Sequence, residues 1–482
     1  MAQGKKASAD VVIIGTGSAG MAAYKAARRF TDSVLVIERA DYGTTCARVG
    51  CMPSKLLIAA ADAAHHARHA SVFGVKVAAV AVDGAEVMAR VRAERDRFVG
   101  FVLDDVESWP SEHRLSGHAK FVSPTQLQLD DGTLIYGGRF VIATGSRPAW
   151  PSAWNSLGDR LIINDDIFSW QHLPQSVAVF GNGVIGLELA QALHRLGVRI
   201  KLFGLGGHVG PLTDPAVRDA ARHAFAAEYR FNPDASVTAV ERQGDSVVVT
   251  ETIDGHEVRE RFDYLLAATG RRPNLDTLDL HNAGIELDSR GVPLAWDRTT
   301  ARIANTHIFL AGDAAPDAPL LHEASDAGRI AGENAARFPF VAAKHRRTSL
   351  GVVFSDPQIA MVGQSFKQLI DTQTPFVVGT VDFTGQGRAR VAARNVGRLN
   401  VYVDPQTGRF LGAEMAGPAA EHIAHLLAWA IEADRTVQQM LDSPFYHPVV
   451  EEGVRTALRA ARDAMSSTSS AHLPCLDCRS AA

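Results

Sequence analysis

The four cysteines of the chain fall into two close pairs, Cys46 with Cys51 and Cys475 with Cys478. Four cysteines in 482 residues are too few for a scaffold that is held together by disulfides. Close pairs in a chain otherwise free of cysteine indicate redox chemistry or metal binding. The sequence therefore directs attention first to these two segments.

The first pair lies in the segment 43–55, where two thiols five residues apart at the start of a predicted helix can close a small disulfide ring. A helix N-terminus and a nearby cation lower the pKa of a thiol and favour the reactive thiolate. Such a pair can alternate between disulfide and dithiol and exchange two electrons with a flavin. Two structural cysteines, or half of a zinc site, are the alternatives, although no cluster of His and Cys at zinc spacing follows.

A glycine-rich turn precedes this segment. Gly15, Gly17 and Gly20 stand between an apolar run that predicts a buried strand and a run of good helix formers, and the next predicted strand ends at Glu38. Such glycines permit a tight turn and close approach of a pyrophosphate to the helix N-terminus, while the acid can bind ribose hydroxyls. The pattern predicts a dinucleotide site.

The same unit recurs at Gly181, Gly183 and Gly186, so the chain is expected to bind two nucleotides. A tightly held flavin with an exchangeable nicotinamide is the economical interpretation. At the second strand end, Gly204 stands where NAD-binding units carry an acid, and His208 is the only cationic residue nearby. The missing arginine favours NAD, with NADP not excluded.

Three further strand ends fit a nucleotide-binding protein. Two predicted strands end in Ala-Thr-Gly, at Gly145 and Gly270, and each is followed closely by Arg and Pro. Asp313 follows a third strand, where a carboxylate can bind a sugar or ribitol hydroxyl. An ordinary strand–loop junction is the alternative at each position.

Composition excludes several classes of protein. Lys and Arg number 49 and Asp and Glu 53, which is too balanced for a polyanion-binding surface, so nucleic acid is not expected as a partner. No run of eighteen apolar residues predicts a spanning helix. Lys5 and Lys6 precede an apolar stretch that mimics a secretory signal, but its glycines disfavour that function. A cytoplasmic protein without membrane contact is expected.

The motifs resemble, in order and over nearly the whole chain, those of the pyridine nucleotide–disulfide oxidoreductases with a CxxxxC centre. The resemblance implies an α/β fold with two Rossmann-like dinucleotide-binding domains and a C-terminal α+β dimerisation domain. It implies an FAD-binding domain over 1–155 and 275–345, an NAD(P)-binding domain over 156–274, an interface domain over 346–465, and a flexible tail over 466–482 that carries the second cysteine pair.

The resemblance also implies roles for individual residues. Cys51 would lie against the flavin as the charge-transfer thiolate, Cys46 would exchange with the substrate, and Lys55 would pair with Glu188 beside the flavin ring. His447, given across a homodimer interface, would be the acid–base catalyst.

The resemblance implies roles for three carboxylates as well. Glu452 would orient the imidazole of His447 if a turn around Pro448 folds the carboxylate back. Glu38 and Asp313 would hold the adenosine ribose and the ribitol. Arg48, which departs from the usual residue between the cysteines, is expected to alter a thiol pKa or to recognise an acidic substrate.

The expected reaction is oxidation of dihydrolipoamide by NAD through FAD and the Cys46–Cys51 disulfide. The physiological dithiol would then belong to the lipoyl domain of a 2-oxoacid dehydrogenase complex. A mercuric reductase-like enzyme, or another NAD(P)H-dependent disulfide reductase that uses Cys475 and Cys478 as a relay, is the alternative. A structural subunit without turnover, and a diaphorase or transhydrogenase, are disfavoured by the intact cysteine and histidine set.

Overall fold

The computed structural model describes residues 5–470, and within this range the strands form five sheets. Among these residues, no helix is at once long enough and apolar enough to cross a membrane.

The N-terminal part of the chain, from residue 5 onward, carries eight strands and five α-helices. The strands are β1 (Lys6–Ile14), β2 (Val34–Glu38), β3 (Arg114–Ser116), β4 (Ala119–Ser123), β5 (Gln126–Leu129), β6 (Leu134–Ile142), β7 (Ser146–Pro148) and β8 (Leu161–Ile162). The helices are α1 (Ser18–Ala27), α2 (Thr45–Val49), α3 (Cys51–His69), α4 (Gly84–Glu107) and α5 (Asn164–Ile167).

The middle part carries eight strands and two helices. The strands are β9 (Ser176–Phe180), β10 (Arg199–Phe203), β11 (Arg230–Asn232), β12 (Val237–Gln243), β13 (Ser246–Ile253), β14 (His256–Phe262), β15 (Tyr264–Ala267) and β16 (Arg271–Pro273). The helices are α6 (Val184–Arg195) and α7 (Pro215–Glu228).

The C-terminal part of the described chain, up to residue 470, carries six strands and six α-helices. The strands are β17 (Ile308–Leu310), β18 (Leu350–Val353), β19 (Gln358–Gly363), β20 (Val377–Asp382), β21 (Arg398–Val403) and β22 (Phe410–Gly417). The helices are α8 (Leu321–Arg337), α9 (Phe366–Asp371), α10 (Gly387–Val391), α11 (Ala420–Glu432), α12 (Val437–Leu441) and α13 (Glu452–Ser470).

The first sheet has the order β3-β2-β1-β6-β5-β4, with β17 also paired to β6. Strands β1, β2, β3, β6 and β17 are parallel. Strand β1 is fully buried from Val11 to Ile13, because helices α1 and α8 cover one face of the sheet and residues of β4, β5 and the segment 275–303 cover the other. Helix α8 approaches α1 so closely that a Cβ at Gly328 would lie 2.1 Å from the Ala19 carbonyl oxygen. Small residues on both helices therefore set this distance.

The second sheet is parallel, with the order β11-β10-β9-β15-β8, and repeats the strand–turn–helix–strand arrangement of the first. Two smaller antiparallel sheets accompany it: β12-β13-β14, and the pair β7–β16, which joins the first and middle parts of the chain. The carboxyl ends of β1 and β9 each lead into a glycine turn, so both turns lie where open α/β sheets bind ligands.

The last sheet is antiparallel, with the order β18-β19-β22-β21-β20. Helices α11 and α13 pack on it through Ile423, Leu427 and Leu458, all nearly or fully buried. Two sheets of Rossmann type followed by this α+β unit confirm the predicted fold class.

Two boundaries differ from the sequence predictions. Helix α1 begins at Ser18, directly after Gly17, so it already includes Gly20 and starts before the run of helix formers that follows the glycines. Helix α13 continues to Ser470, five residues into the segment that was expected to be a flexible tail. Serine and threonine have modest helix propensity, so local sequence underestimates a helix that is anchored by packing at its start.

Candidate active site

The two central cysteines lie at the junction of helices α2 and α3. Cys46 is in α2, whose start is capped by the Thr44 hydroxyl, which accepts a hydrogen bond from Ala47 N at 3.1 Å. Cys51 is the first residue of α3, so its sulfur lies at the positive end of that helix. Both are free thiols in this structure.

The environment divides the charge unequally between the two thiols. A hydrogen bond from Cys46 and the charge of Lys55 lower the pKa of Cys51 to about 7, against an opposing effect of burial. The same hydrogen bond, together with burial, raises the pKa of Cys46. The negative charge of the reduced pair therefore resides on Cys51, and Cys46 stays protonated.

Lys55 reaches the thiols because it lies one turn after Cys51 on α3. Its ammonium donates to both carboxylate oxygens of Glu188, at 2.9 and 2.8 Å. Glu188 lies on α6, is buried, and also accepts from Phe354 N at 2.9 Å, while the Phe354 ring lies 4.5 Å from the Lys55 nitrogen. The structure thus brings Lys55 and Glu188 together beside the cysteines.

Arg48, which lies between the two cysteines in the sequence, binds the loop that precedes α2. Its guanidinium donates to the carbonyl oxygen of Tyr42, with the Nε at 2.8 Å, and covers the turn at Gly43. Lys55, not Arg48, supplies the cation that lowers the pKa of Cys51. The arginine therefore holds the loop that precedes α2, and the expectation that it lowers the pKa of Cys51 is not met. Recognition of an acidic substrate by Arg48 stays a prediction.

The first glycine turn is tightly built. A Cβ at Gly20 would lie 1.9 Å from the Gly15 carbonyl oxygen, and one at Gly15 would lie 2.4 Å from the Ala143 oxygen. A Cβ at Gly17 would meet nothing within 4 Å, so this backbone faces open space at the start of α1. Close backbone contacts leave no room for a side chain at Gly15 and Gly20. The missing side chain at Gly17 leaves the access that a pyrophosphate of FAD requires.

Glu38 lies at the end of β2, beside this turn. One carboxylate oxygen accepts from Thr16 N at 2.8 Å and from the Thr16 hydroxyl at 2.7 Å. The other accepts from Arg39 N at 2.9 Å. The carboxylate is thereby fixed at the strand end, where a ribose diol of FAD would bind.

The second glycine turn has nearly the same close backbone contacts as the first. A Cβ at Gly186 would lie 1.9 Å from the Gly181 oxygen, one at Gly181 would lie 2.1 Å from the Ala268 oxygen, and Gly183 again faces open space. This geometry fits the pyrophosphate of a second dinucleotide. The strand end differs, because Gly204 carries no side chain there.

The two Ala-Thr-Gly junctions meet through the pair β7–β16. Gly145 and Gly270 both have positive φ, and Cβ atoms there would meet nothing within 4 Å. The Ser146 hydroxyl donates to Asp313 at 3.0 Å and accepts from Arg271 Nε at 2.8 Å. The carboxylate predicted to bind the ribitol is thus tied to both junctions.

His447 and Glu452 form a second pair of predicted site residues. The imidazole Nδ1 lies 3.0 Å from a carboxylate oxygen of Glu452, the first residue of α13, so the chain after Pro448 does fold the carboxylate back. The other carboxylate oxygen accepts from Arg455 at 2.8 Å. Although burial acts to raise it, hydrogen bonds from His447 and Val449 N leave the pKa of Glu452 lowered.

This second pair lies apart from the cysteines. The His447 side chain is 80 % exposed, and among the described residues no hydrogen bond or ion pair joins it to Cys46 or Cys51 of the same chain. The predicted site residues therefore form separate groups: the thiols with the Lys55–Glu188 pair, the two glycine turns, the Asp313 junction and the histidine pair. Cys475 and Cys478 lie outside the described residues.

Four contact residues were missed by sequence reasoning. Thr16 and Asn182 each follow the first glycine of a turn, a spacing that could have marked them. Ser146 directly follows Gly145 in the first Ala-Thr-Gly junction, and it was given no role. Phe354 had no sequence signal, because its contact with Lys55 and Glu188 joins strands and helices far apart in the chain.

Comparison with known proteins agrees with this geometry. Residues 9–328 match the family model described as pyridine nucleotide-disulphide oxidoreductase, and residues 349–458 match the dimerisation domain of that family. A dihydrolipoyl dehydrogenase of Haloferax volcanii is 31% identical over 466 residues, covering 94% of this chain and 96% of its own. The mitochondrial dihydrolipoyl dehydrogenase 2 of Arabidopsis thaliana is 28% identical over 470 residues, covering 94% and 90%.

Among solved structures, the HOCl-induced flavoprotein disulfide reductase RclA from Escherichia coli superposes with a TM-score of 0.79 at 22% identity, covering 93% of this chain and 99% of that one. This similarity shows a shared fold. Together with the family matches and the ordered glycine turns and cysteine pair, it leads to one assignment. The chain belongs to the pyridine nucleotide-disulfide oxidoreductases, close to the dihydrolipoyl dehydrogenases, and is an FAD-dependent enzyme that uses NAD(P).

Proposed function

We propose that this oxidoreductase is a dihydrolipoyl dehydrogenase, which oxidises dihydrolipoamide and reduces NAD+. The observation that carries the proposal is the unequal thiol pair, with Cys51 ionised near neutral pH and Cys46 protonated. The relatives named dihydrolipoyl dehydrogenase support the dithiol substrate.

In the proposed reaction, a thiolate of dihydrolipoamide attacks Cys46 of the Cys46–Cys51 disulfide and releases Cys51 as thiolate. The second thiol of the substrate then attacks the substrate sulfur that is bonded to Cys46. The disulfide of lipoamide forms, the bond to Cys46 breaks, and Cys46 takes up one of the protons that the substrate released. Lipoamide leaves as the disulfide, and the protein retains the electron pair. FAD, when bound, carries that electron pair to NAD+.

His447 removes the protons of the substrate thiols in this scheme, and Glu452 fixes the tautomer that exposes Nε2 as the base. Since the imidazole is exposed and makes no contact with the cysteines of its own chain, we propose that it acts on the partner subunit of a homodimer. The dimerisation domain of the family, matched over residues 349–458, supports this arrangement.

The residues that would hold each nucleotide follow from the turns. We propose that FAD is held by Gly15, Gly17, Gly20, Glu38, Gly145 and Asp313 in segments 1–155 and 275–345. The nicotinamide nucleotide would be held by Gly181, Gly183, Gly186 and Gly270 in segment 156–274, and the dimer formed by 346–465. A lipoyl domain as partner and a cytoplasmic location, the latter supported by the sparse cysteines, complete the proposal.

The test measures anaerobic turnover of purified holoenzyme with dihydrolipoamide and NAD+. Reduced glutathione, a monothiol, is the comparison substrate, and Hg(II) with NADH or NADPH is the reductase assay. Rapid dihydrolipoamide-dependent NADH formation is expected, unchanged in a Cys475→Ser, Cys478→Ser double variant. Turnover only with Hg(II) or with another disulfide, and lost in the double variant, would contradict the proposal and support the alternative reductase.

A further inference from the structure

We propose that Asp234 replaces the missing strand-end acid of the second nucleotide site and makes that site select NADH over NADPH. The inference rests on the proposed use of the Gly181–Gly186 turn for the nicotinamide nucleotide. It concerns only how the adenosine ribose is recognised, and so it can be tested without knowing the dithiol.

The ends of strands β2 and β10 carry different residues. After β2, the Glu38 carboxylate is held by the backbone and hydroxyl of Thr16, the residue that follows the first glycine of the turn. After β10, the matching position is Gly204, and the residue that follows the first glycine is Asn182. In the first nucleotide unit these two positions hold a threonine that binds a strand-end acid, whereas in the second unit they hold an asparagine and a glycine.

No acid can occupy the second strand end. A Cβ at Gly204 would lie 2.6 Å from the Asn182 amide nitrogen and 2.6 Å from the Pro233 carbonyl oxygen. That amide donates to the carbonyl oxygens of His208, at 2.7 Å, and Pro233, at 3.1 Å. Asn182 thus fills the place of the acid and joins the loop after β10 to the loop after β11.

The loop after β11 supplies a carboxylate at this edge. Asp234 is exposed, and one of its oxygens accepts from Gly206 N at 2.9 Å. Its second oxygen has no hydrogen-bond partner among the described residues. A carboxylate anchored in this way can accept hydrogen bonds from the 2′- and 3′-hydroxyls of a ribose, as the strand-end acid does in other units.

The charges around Asp234 disfavour a 2′-phosphate. Arg199, Lys201 and Arg230, which are the basic residues of β10 and β11, all pair with Glu260. The loop 204–210 contributes only His208 as a potential cation. A 2′-phosphate of charge about −1.5 to −2 would therefore meet the Asp234 carboxylate, and neither these two strands nor the loop 204–210 offers it an arginine without an acidic partner.

The experiment measures binding of ADP-ribose and 2′-phospho-ADP-ribose to the oxidised holoenzyme by calorimetry, and anaerobic flavin reduction by NADH and NADPH. The wild-type protein is expected to prefer the unphosphorylated compounds at least about tenfold. Asp234→Asn keeps the oxygen that binds Gly206 N and removes the charge, so this preference should fall roughly tenfold, through affinity and not through the limiting rate of reduction.

Asp254→Asn, in the exposed turn between β13 and β14, is the matched control and should leave both ratios unchanged. A wild-type protein that prefers the phosphorylated compounds, or an Asp234→Asn ratio within about twofold of wild type, would overturn the inference. Absence of dihydrolipoamide turnover would contradict the proposed function alone, because neither measurement uses a dithiol.

Discussion

The two halves of the proposed catalytic apparatus have opposite surroundings. The cysteine pair is supported within one chain, because Lys55 on α3 is fixed by Glu188 on α6, which is fixed in turn by the backbone of Phe354. The His447–Glu452 pair lies at the surface, with the imidazole 80 % exposed. The residues of the proposed redox half therefore support one another within a single chain, whereas the imidazole of the proposed acid–base half is exposed, as its proposed action on a partner subunit would require.

The largest expected effect concerns the redox half. Replacing Cys46 with serine removes the sulfur that the substrate attacks, so dihydrolipoamide-dependent NAD+ reduction should fall by at least about 10³-fold. The rate is measured on protein whose visible spectrum shows full flavin content. Retention of more than about a tenth of the activity would show that Cys46 is not the exchange thiol.

The next effect concerns the acid–base half. His447→Gln should lower the same rate by about 10²- to 10³-fold, in the range of general acid–base catalysis. Since no hydrogen bond or ion pair joins His447 to the thiols of its own chain, His447→Gln should leave the pH profile of Cys51 alkylation unchanged in reduced monomers obtained by dilution. A shifted profile in those monomers would contradict the separation of the two halves.

A third prediction concerns the pKa of Cys51, which lies near 7 partly through the charge of Lys55. The alkylation rate of the reduced protein should rise with pH through about 7 and level off above it. Lys55→Met removes the stabilising charge, so the midpoint should move up and the rate at pH 7 should fall about fivefold or more. Lys25→Met, an exposed lysine paired with Asp105, is the control.

The smallest effect concerns the orienting carboxylate. Glu452→Gln should lower turnover by about fivefold, because an exposed hydrogen bond fixes the imidazole only modestly. The pKa of Glu452 is lowered, so the carboxylate is ionised across the neutral range and the loss should be the same at pH 7 and pH 8.5. Glu451→Gln, at the neighbouring residue, is the control. An equal loss of turnover in that variant would show that the effect does not come from orientation of the His447 imidazole by Glu452.

Much of the redox half could be predicted from the sequence, because its residues lie close to one another along the chain. The spacing of Gly15, Gly17 and Gly20 reports tight packing inside one turn, and Cys51 and Lys55 are one helical turn apart. The pairing of Lys55 with Glu188 joins positions 133 residues apart and was reached only through the family resemblance.

Other features depend on three-dimensional packing that no local pattern encodes. Arg48 was expected to act on a thiol or a substrate, yet the turn at Gly43 places the Tyr42 carbonyl within its reach. Asn182 occupies the space of an absent acid only because the loops after β10 and β11 converge there. Sequence showed that the acid is missing, and the structure shows what fills its place.

The central claim is that one subunit supplies the thiols and the other supplies the histidine. Coexpressed Cys46→Ser and His447→Gln chains, each inactive alone, form mixed dimers in which one of the two sites has both residues intact. Random mixing should restore about a quarter of the wild-type dihydrolipoamide dehydrogenase activity, as two-fold symmetry requires. Activity no greater than that of the separate variants, in dimers shown to be mixed, would contradict the account.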